Sequence, residues 1–187
     1  HAARFMAEQG AIIVGASDSQ GAIKNTKGLE VDELWQVKKN GSNVSESGLG
    51  EVIDSDDLIE ITCDIWVPAA RPDVIHDKNV ERLNTKIVAQ GANIPATGSA
   101  EHYLHGENIL SLPDFIANAG GVICAAMEYR GSNQTTAFET IKDKIRTNTL
   151  EMLERSEIAE KPPREAAQEM AEERLRAAMN TRRGSLF

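Results

Sequence analysis

Residues 86–122 read KIVAQGANIPATGSAEHYLHGENILSLPDFIANAGGV, and this stretch decides the fold. A short apolar run, Ile87-Val88-Ala89, stands directly before Gly91-Ala92-Asn93. A second, Ile109-Leu110-Ser111-Leu112, stands before a loop that ends in Asn118-Ala119-Gly120-Gly121. Ser99 to Gly106 lies between them and reads as a capped helix. Strand and turn thus occur twice around a helix, the alternation of an α/β chain with a parallel sheet. In such an open sheet ligands sit just outside the carboxyl ends of the strands. Small residues there let backbone approach a flat ligand, and each Asn brings one acceptor and two donors. The plainer role for an Asn at these places is to form the turn itself.

Working upstream, Cys63-Asp64-Ile65-Trp66-Val67-Pro68-Ala69-Ala70 reads as another buried strand that stops at a proline, with Asp77 to Leu83 a short helix after it. Nearer the start, Ala11-Ile12-Ile13-Val14-Gly15-Ala16 reads as a strand buried on both faces, ending in Ser17-Asp18-Ser19. A helical tail, His1 to Gln9, comes before it and stops at Gly10. Helix, strand and terminal carboxylate in that order form the middle of a nucleotide-binding β-α-β unit, where Asp18 can accept a hydrogen bond from a ribose hydroxyl. No G-x-G-x-x-G occurs in the 187 residues. The expectation is a doubly wound, Rossmann-like parallel sheet, incomplete at its N-terminus, with four strands flanking the place of a first strand that precedes this chain. Gly21-Ala22-Ile23-Lys24-Asn25, with Gly28-Leu29-Glu30, suggests a small hairpin, and Val31 to Lys39 a helix ended by Gly41. Asp54-Ser55-Asp56-Asp57 reads as a cap and a solvated face rather than a metal site.

Downstream of Gly120 the pattern becomes helical. Phe138, Ile141, Ile145, Thr149 and Met152 recur at three and four residues, which predicts one apolar face on a helix from about Gln134 to Ser156. A second helix is expected from Pro163, carrying Ala166, Ala167, Met170, Ala171, Leu175, Ala178 and Met179 along one side. The expected organisation is a dinucleotide-binding domain over residues 1–130 and a helical segment over 131–187. An apolar face left over from that packing is a candidate for self-association into a homo-oligomer.

Net charge −9 supplies no basic patch for nucleic acid, and no apolar run reaches the length of a membrane span. Cys63 and Cys124 form no paired spacing, which suits a reduced cytoplasm better than a disulfide scaffold. His102 and His105 are three residues apart, but without a third ligand they read as surface imidazoles, so no metal is expected.

Four blocks together resemble the cofactor domain of the glutamate/leucine/phenylalanine/valine dehydrogenases: Ser17-Asp18-Ser19, Pro68-Ala69-Ala70, Gly91-Ala92-Asn93-Ile94-Pro95-Ala96-Thr97, and Pro113 to Val122 followed by Glu128. The resemblance implies reversible, NAD- or NADP-dependent oxidative deamination of an L-amino acid to a 2-oxo acid and ammonia. It implies that Asp18, with Ser17 and Ser19, holds the adenosine ribose. Pro68, Ala69, Ala70, Gly91, Ala92 and Asn93 would then line the nicotinamide ribose, and Asn118 would hold the carboxamide. Gly121, Val122 and Ala125 fall at the substrate side. A serine of the glutamate enzymes that helps bind the side-chain carboxylate is Ala125 here, which suggests an altered pocket; the Gly91–Thr97 block, in contrast, is closer to the glutamate branch, so the amino acid stays open. Asp18 tilts the cofactor towards NAD, while its serine neighbours can accept a phosphate. The family's catalytic lysines and aspartate belong to a preceding substrate domain and map to no residue of this chain, which is expected to be inactive alone. The alternative is a non-catalytic binding or assembly module that keeps the fold.

Overall fold

The computed structural model describes residues 1–183. The chain divides into two compact units, residues 1–63 with 81–85, and residues 64–80 with 86 onward.

The first unit is built on an antiparallel sheet. Helix α1 (Ala2–Glu8) leads into β1 (Gly15–Asp18), β2 (Gly21–Lys24), α2 (Val31–Lys39) and β3 (Glu51–Ile53), and the three strands pair in the order β1-β2-β3. Asp18 pairs with Gly21 across a two-residue loop, Ser19-Gln20, and Asp18 Oδ1 accepts from the Gln20 amide at 2.9 Å. That local turn closes a hairpin. It corrects the expectation for residues 11–16: the strand begins at Gly15, lies in an antiparallel ladder, and leaves Ile12 69% exposed, while Ile13 and Ala16 pack on Ile23, Leu29, Leu34 and Val44. The anticipated four parallel strands are therefore three, and the hairpin partner of Gly21–Lys24 is β1 rather than residues 28–30. Helix α2 has the expected bounds, with Asp32 and Glu33 in its first turn, Lys38 and Lys39 in its last, and Gly41 at φ +83 beyond Asn40.

The second unit carries the parallel sheet. Strands β4 (Ile65–Trp66), β5 (Ile87–Ala89) and β6 (Leu110–Leu112) pair in that order, Ile65 opposite Ile87 and Ala89 opposite Leu112. Helix α3 (Gly98–Gly106) connects β5 to β6, with Thr97 Oγ1 accepting from the Ala100 amide. The expected Cys63–Ala70 strand is cut to two residues with Ile65 40% exposed, as befits an edge, and the expected Asp77–Leu83 helix is one three-ten turn at Val80–Arg82.

After β6 come α4 (Asp114–Ala117), α5 (Gly120–Tyr129), α6 (Gln134–Ala159) and α7 (Pro163–Arg183). Met152 from α6, Ala166, Ala167 and Met170 from α7, and Ile116 from α4 form one core, against which Leu112 of β6 packs. Fully burying a methionine stabilises by roughly 1.5–3 kcal/mol, and the paired alanines of α7 let the helices approach closely enough to do it. The expected α6 stripe holds at Ile141, Ile145 and Thr149, which are half-buried, and at Met152, which is buried; only its first position differs, where Ala137 is buried and Phe138 is 60% exposed. The buried run of α7 ends at Met170, and Leu175 and Met179 are exposed. No helix of the described residues is long and apolar enough to cross a membrane.

Candidate functional site

Parallel pairing brings three expected site segments together at the carboxyl end of the sheet. Where β4 ends, the Pro68 carbonyl accepts from the amides of Gly91 (3.1 Å) and Ala92 (2.8 Å), stitching the loop after β4 to the loop after β5. Gly91 suits this approach: a Cβ there would lie 3.1 Å from the Ala69 Cβ, so a side chain would need the neighbouring loop to give by a few tenths of an ångström. From the loop after α4, Asn118 Nδ2 donates to Asn93 Oδ1 at 2.8 Å. The two asparagines picked out in separate sequence blocks thus form one pair. Asn93 Nδ2 and Asn118 Oδ1 carry no hydrogen bond among the described residues, which leaves one amide donor and one amide acceptor of the pair open to a ligand.

Beside this pair an open cleft of about 490 Å³ is lined by Ala69, Ala70, Arg71, Pro72, Gly91, Ala92, Asn93 and Ile94. Ala69, Ala70, Gly91 and Ala92 give it small walls, and Arg71 and Asn93 bring polar side chains to the lining. That combination accommodates a flat heteroaromatic ring and a sugar, with a cation for an anionic group. Gly121, Val122 and Ala125 follow on α5 and face solvent, Val122 at 78% exposure.

Ser17, Asp18 and Ser19 stand in the first unit, at the end of β1. Asp18 is already engaged: its Oδ2 receives Lys38 Nζ at 2.6 Å and the Val44 amide at 2.9 Å, and its Oδ1 the Gln20 amide. Burial alone would push its carboxyl up, but Lys38 and the two amides outweigh this and hold it below the usual carboxylate range. Oδ1 retains a lone pair for a further donor. The two flanking serines are exposed.

The sequence did not single out the polar cluster under the cleft. Gln90, fully buried at the end of β5, donates through Nε2 to Glu101 Oε1 and to Ser111 Oγ, and its Oε1 accepts from the Asp114 amide at 3.2 Å. Arg164, at the start of α7, donates to Glu101 Oε2, to Gln90 Oε1 at 3.0 Å and to Asp114 Oδ1 at 2.8 Å, and its guanidinium lies 5.3 Å from the Phe115 ring centroid. The remaining Asp114 oxygen, Oδ2, accepts from the Ile94 amide at 2.9 Å. Desolvation would raise the Asp114 carboxyl, yet the Ile94 amide and Arg164 hold it below its ordinary value; Arg164 is pushed above its own by the two carboxylates despite burial. One signal was present: a glutamine directly after the apolar run Ile87-Val88-Ala89 needs hydrogen-bond partners if the strand is buried. Of the closely spaced His102 and His105, His102 Nδ1 contacts the Gly98 carbonyl at 2.8 Å and its Nε2 lies 3.5 Å from Glu165. Asp54 caps the 55–60 turn through the Asp56 amide, as expected.

The family profile of the Glutamate/Leucine/Phenylalanine/Valine dehydrogenases matches residues 1–183. The chain belongs to that family. Within it, the chain is 37% identical over 192 residues to a glutamate dehydrogenase of Aeropyrum pernix, covering 97% of this chain and 46% of that protein. It is 40% identical over 146 residues to a glutamate dehydrogenase of Thermotoga maritima, covering 78% and 34%. The hetero-hexameric glutamate dehydrogenase of Thermus thermophilus, in its leucine-bound form, superposes with a TM-score of 0.83 at 21% identity, over 96% of this chain and 44% of that one. The L-tryptophan dehydrogenase of Nostoc punctiforme superposes with a TM-score of 0.63 at 24% identity, over 70% and 39%. The chain thus spans less than half the length of these relatives and shares their α/β fold with its parallel sheet.

Proposed function

We propose that the chain is the cofactor-binding part of an amino acid dehydrogenase that catalyses reversible oxidative deamination of an L-amino acid to a 2-oxo acid and ammonia. The observation that carries this is the Asn93–Asn118 pair, with a free donor and a free acceptor at the rim of a cleft walled by Pro68–Ala70 and Gly91–Ile94. When bound, a nicotinamide dinucleotide supplies the hydride acceptor. The chain's own share is orientation. Asn118 and Asn93 hold the carboxamide and so fix which ring face turns to the substrate. Pro68, Ala69, Ala70, Gly91 and Ala92 receive the adjoining ribose and exclude water from it. Ser17, Asp18 and Ser19 take the adenosine ribose. Gly121, Val122 and Ala125 form the wall nearest the amino acid, with Ala125 unable to donate to a side-chain carboxylate.

Relatives include an NADP-specific glutamate dehydrogenase of Saccharolobus shibatae and an NAD-specific one of Staphylococcus aureus. Asp18 favours a free ribose hydroxyl and hence NAD, an effect that the Lys38 ammonium beside it reduces. We assign dinucleotide binding to residues 1–130, the helical segment to 131–187, the setting to the cytoplasm, and the working form to a homo-oligomer acting on a small molecule, with no nucleic acid or membrane partner. The test is turnover. This chain, given dinucleotide, ammonia and a panel of 2-oxo acids, is expected to be inactive, whereas a protein joining it to a lysine-bearing substrate domain is expected to be active. Turnover by the chain alone overturns the assignment of catalysis elsewhere, and an inactive joined protein overturns the dehydrogenase reading.

A further inference from the structure

Ile94 lines the cleft in a conformation its chemistry opposes. Its φ is +48, in the left-handed region, although it is β-branched and is followed by Pro95, both of which favour extended backbone. Such a residue persists only where its surroundings hold it. Two contacts do so here. The Ile94 carbonyl accepts from the amide of Asp73, itself left-handed at φ +52, and the Ile94 amide donates to Asp114 Oδ2 at 2.9 Å. Asp114 in turn is fixed by Arg164 through its other oxygen and by the Gln90 side chain through its amide. The anchor reaches from the first turn of α7, through a buried carboxylate, to the residue that follows Asn93 in the chain.

We propose that Asp114, anchored by Arg164, is a positioning residue that holds Ile94 left-handed and thereby aims the Asn93 side chain at Asn118 and the ligand. This rests on the reading of the cleft as the nicotinamide site. Released from Asp114, Ile94 relaxes towards extended backbone and rotates the peptide that carries Asn93. The amide pair opens and the carboxamide loses its seat, with no change in any residue that touches it.

Asp114→Asn isolates the contact at constant volume. The asparagine must turn its oxygen to the Arg164 cation, which leaves its NH2 facing the Ile94 N–H, donor against donor. Glycine adopts positive φ without help, so Ile94→Gly removes the need for the clamp. NADH is titrated, by its fluorescence, into the 187-residue chain as wild type, Asp114→Asn, Ile94→Gly and the double variant, with Tm followed by circular dichroism. The expected result is a roughly tenfold loss of affinity for Asp114→Asn in the wild-type background, the size of one hydrogen bond to a charged group. In the Ile94→Gly background the same substitution should change affinity less than about twofold, while Tm falls similarly in both. Unchanged affinity in the single variant, or an equal loss in both backgrounds, overturns the clamp and leaves the nicotinamide site standing. Absence of NADH binding by the wild type overturns the site itself and the clamp with it. If Asp114→Asn does not fold, Arg164→Lys, whose single ammonium lacks the fork that meets Glu101, Gln90 and Asp114 together, is read in the same two backgrounds. The same criterion applies: a loss abolished by Ile94→Gly supports the clamp, and no loss or an equal loss overturns it.

Discussion

Replacing Arg164 by methionine keeps most of the side chain's length and removes its charge, and the cost can be worked from its partners. Three hydrogen bonds go, to Glu101, Gln90 and Asp114. Two carboxylates that are nearly sheltered from solvent lose their cation. Breaking a buried ion pair from one side costs about 3–5 kcal/mol. The lower end applies, because the Arg164 side chain is 22% exposed, Glu101 keeps Gln90, and Asp114 keeps the Ile94 amide. With a urea slope of about 2 kcal/mol per M, a loss of about 3 kcal/mol moves the unfolding midpoint by about 1.5 M. The signal at 222 nm reports the transition well, since the longest helices, α6 and α7, lie in the unit that holds the network. Arg174→Met is the control. Its guanidinium joins Asn148 and Glu151 at the surface, where such pairs contribute at most about 1 kcal/mol, or about 0.5 M. The pH dependence has a fixed sign. The Asp114 carboxyl is lowered in the folded protein, so its share of stability is present above the ordinary aspartate value, and is lost as pH falls through the lowered one. The Arg164→Met deficit should therefore shrink as pH falls below about 4, the ordinary aspartate value. A midpoint shift no larger than the Arg174→Met control, or a deficit that grows on acidification, refutes the network as a source of stability.

Gly91→Ala should lower affinity for NADH severalfold by pressing its methyl on Ala69, with the urea midpoint moved by less than about 0.5 M; an unaltered affinity would remove the close approach of the two loops from the site. Asn118→Ala is expected to cost about tenfold in affinity and less than about 0.5 kcal/mol in stability, since its partner Asn93 is exposed. Met152→Ala, at a fully buried position between α6 and α7, should destabilise by about 2–5 kcal/mol in urea unfolding, with affinity for dinucleotide unchanged under native conditions.

Much of this arrangement is legible in the chain because it is written locally. Alternation of apolar runs and capped helices gives β5, α3, β6 and their order. The small residues and asparagines at the strand ends give the floor of the cleft, and the 3.6-residue period with Pro163 gives α6 and α7. Where the reading failed, a nonlocal or very short-range effect decided. Ser19-Gln20 closes a hairpin that draws Gly15–Asp18 into an antiparallel ladder, although residues 11–16 are apolar enough for a buried parallel strand. At the start of α6 Ala137 is buried and Phe138 exposed, although the period places Phe138 on the same face as Ile141, Ile145 and Met152. The Gln90–Glu101–Asp114–Arg164 cluster joins residues up to 74 positions apart, and no periodicity reports such a meeting. The left-handed Ile94 is equally silent in sequence, since β-branching and the following proline argue for extended backbone.

The central claim is that the loops after β4, β5 and α4 form one nicotinamide seat around Asn93 and Asn118. The most direct test is to titrate NAD into isotope-labelled protein and follow the side-chain amides of Asn93 and Asn118 together with the backbone amides of Ala70, Gly91 and Ala92. Saturable shifts of these five residues with a single dissociation constant are predicted. Saturable shifts confined to other residues, or none at all, would contradict it.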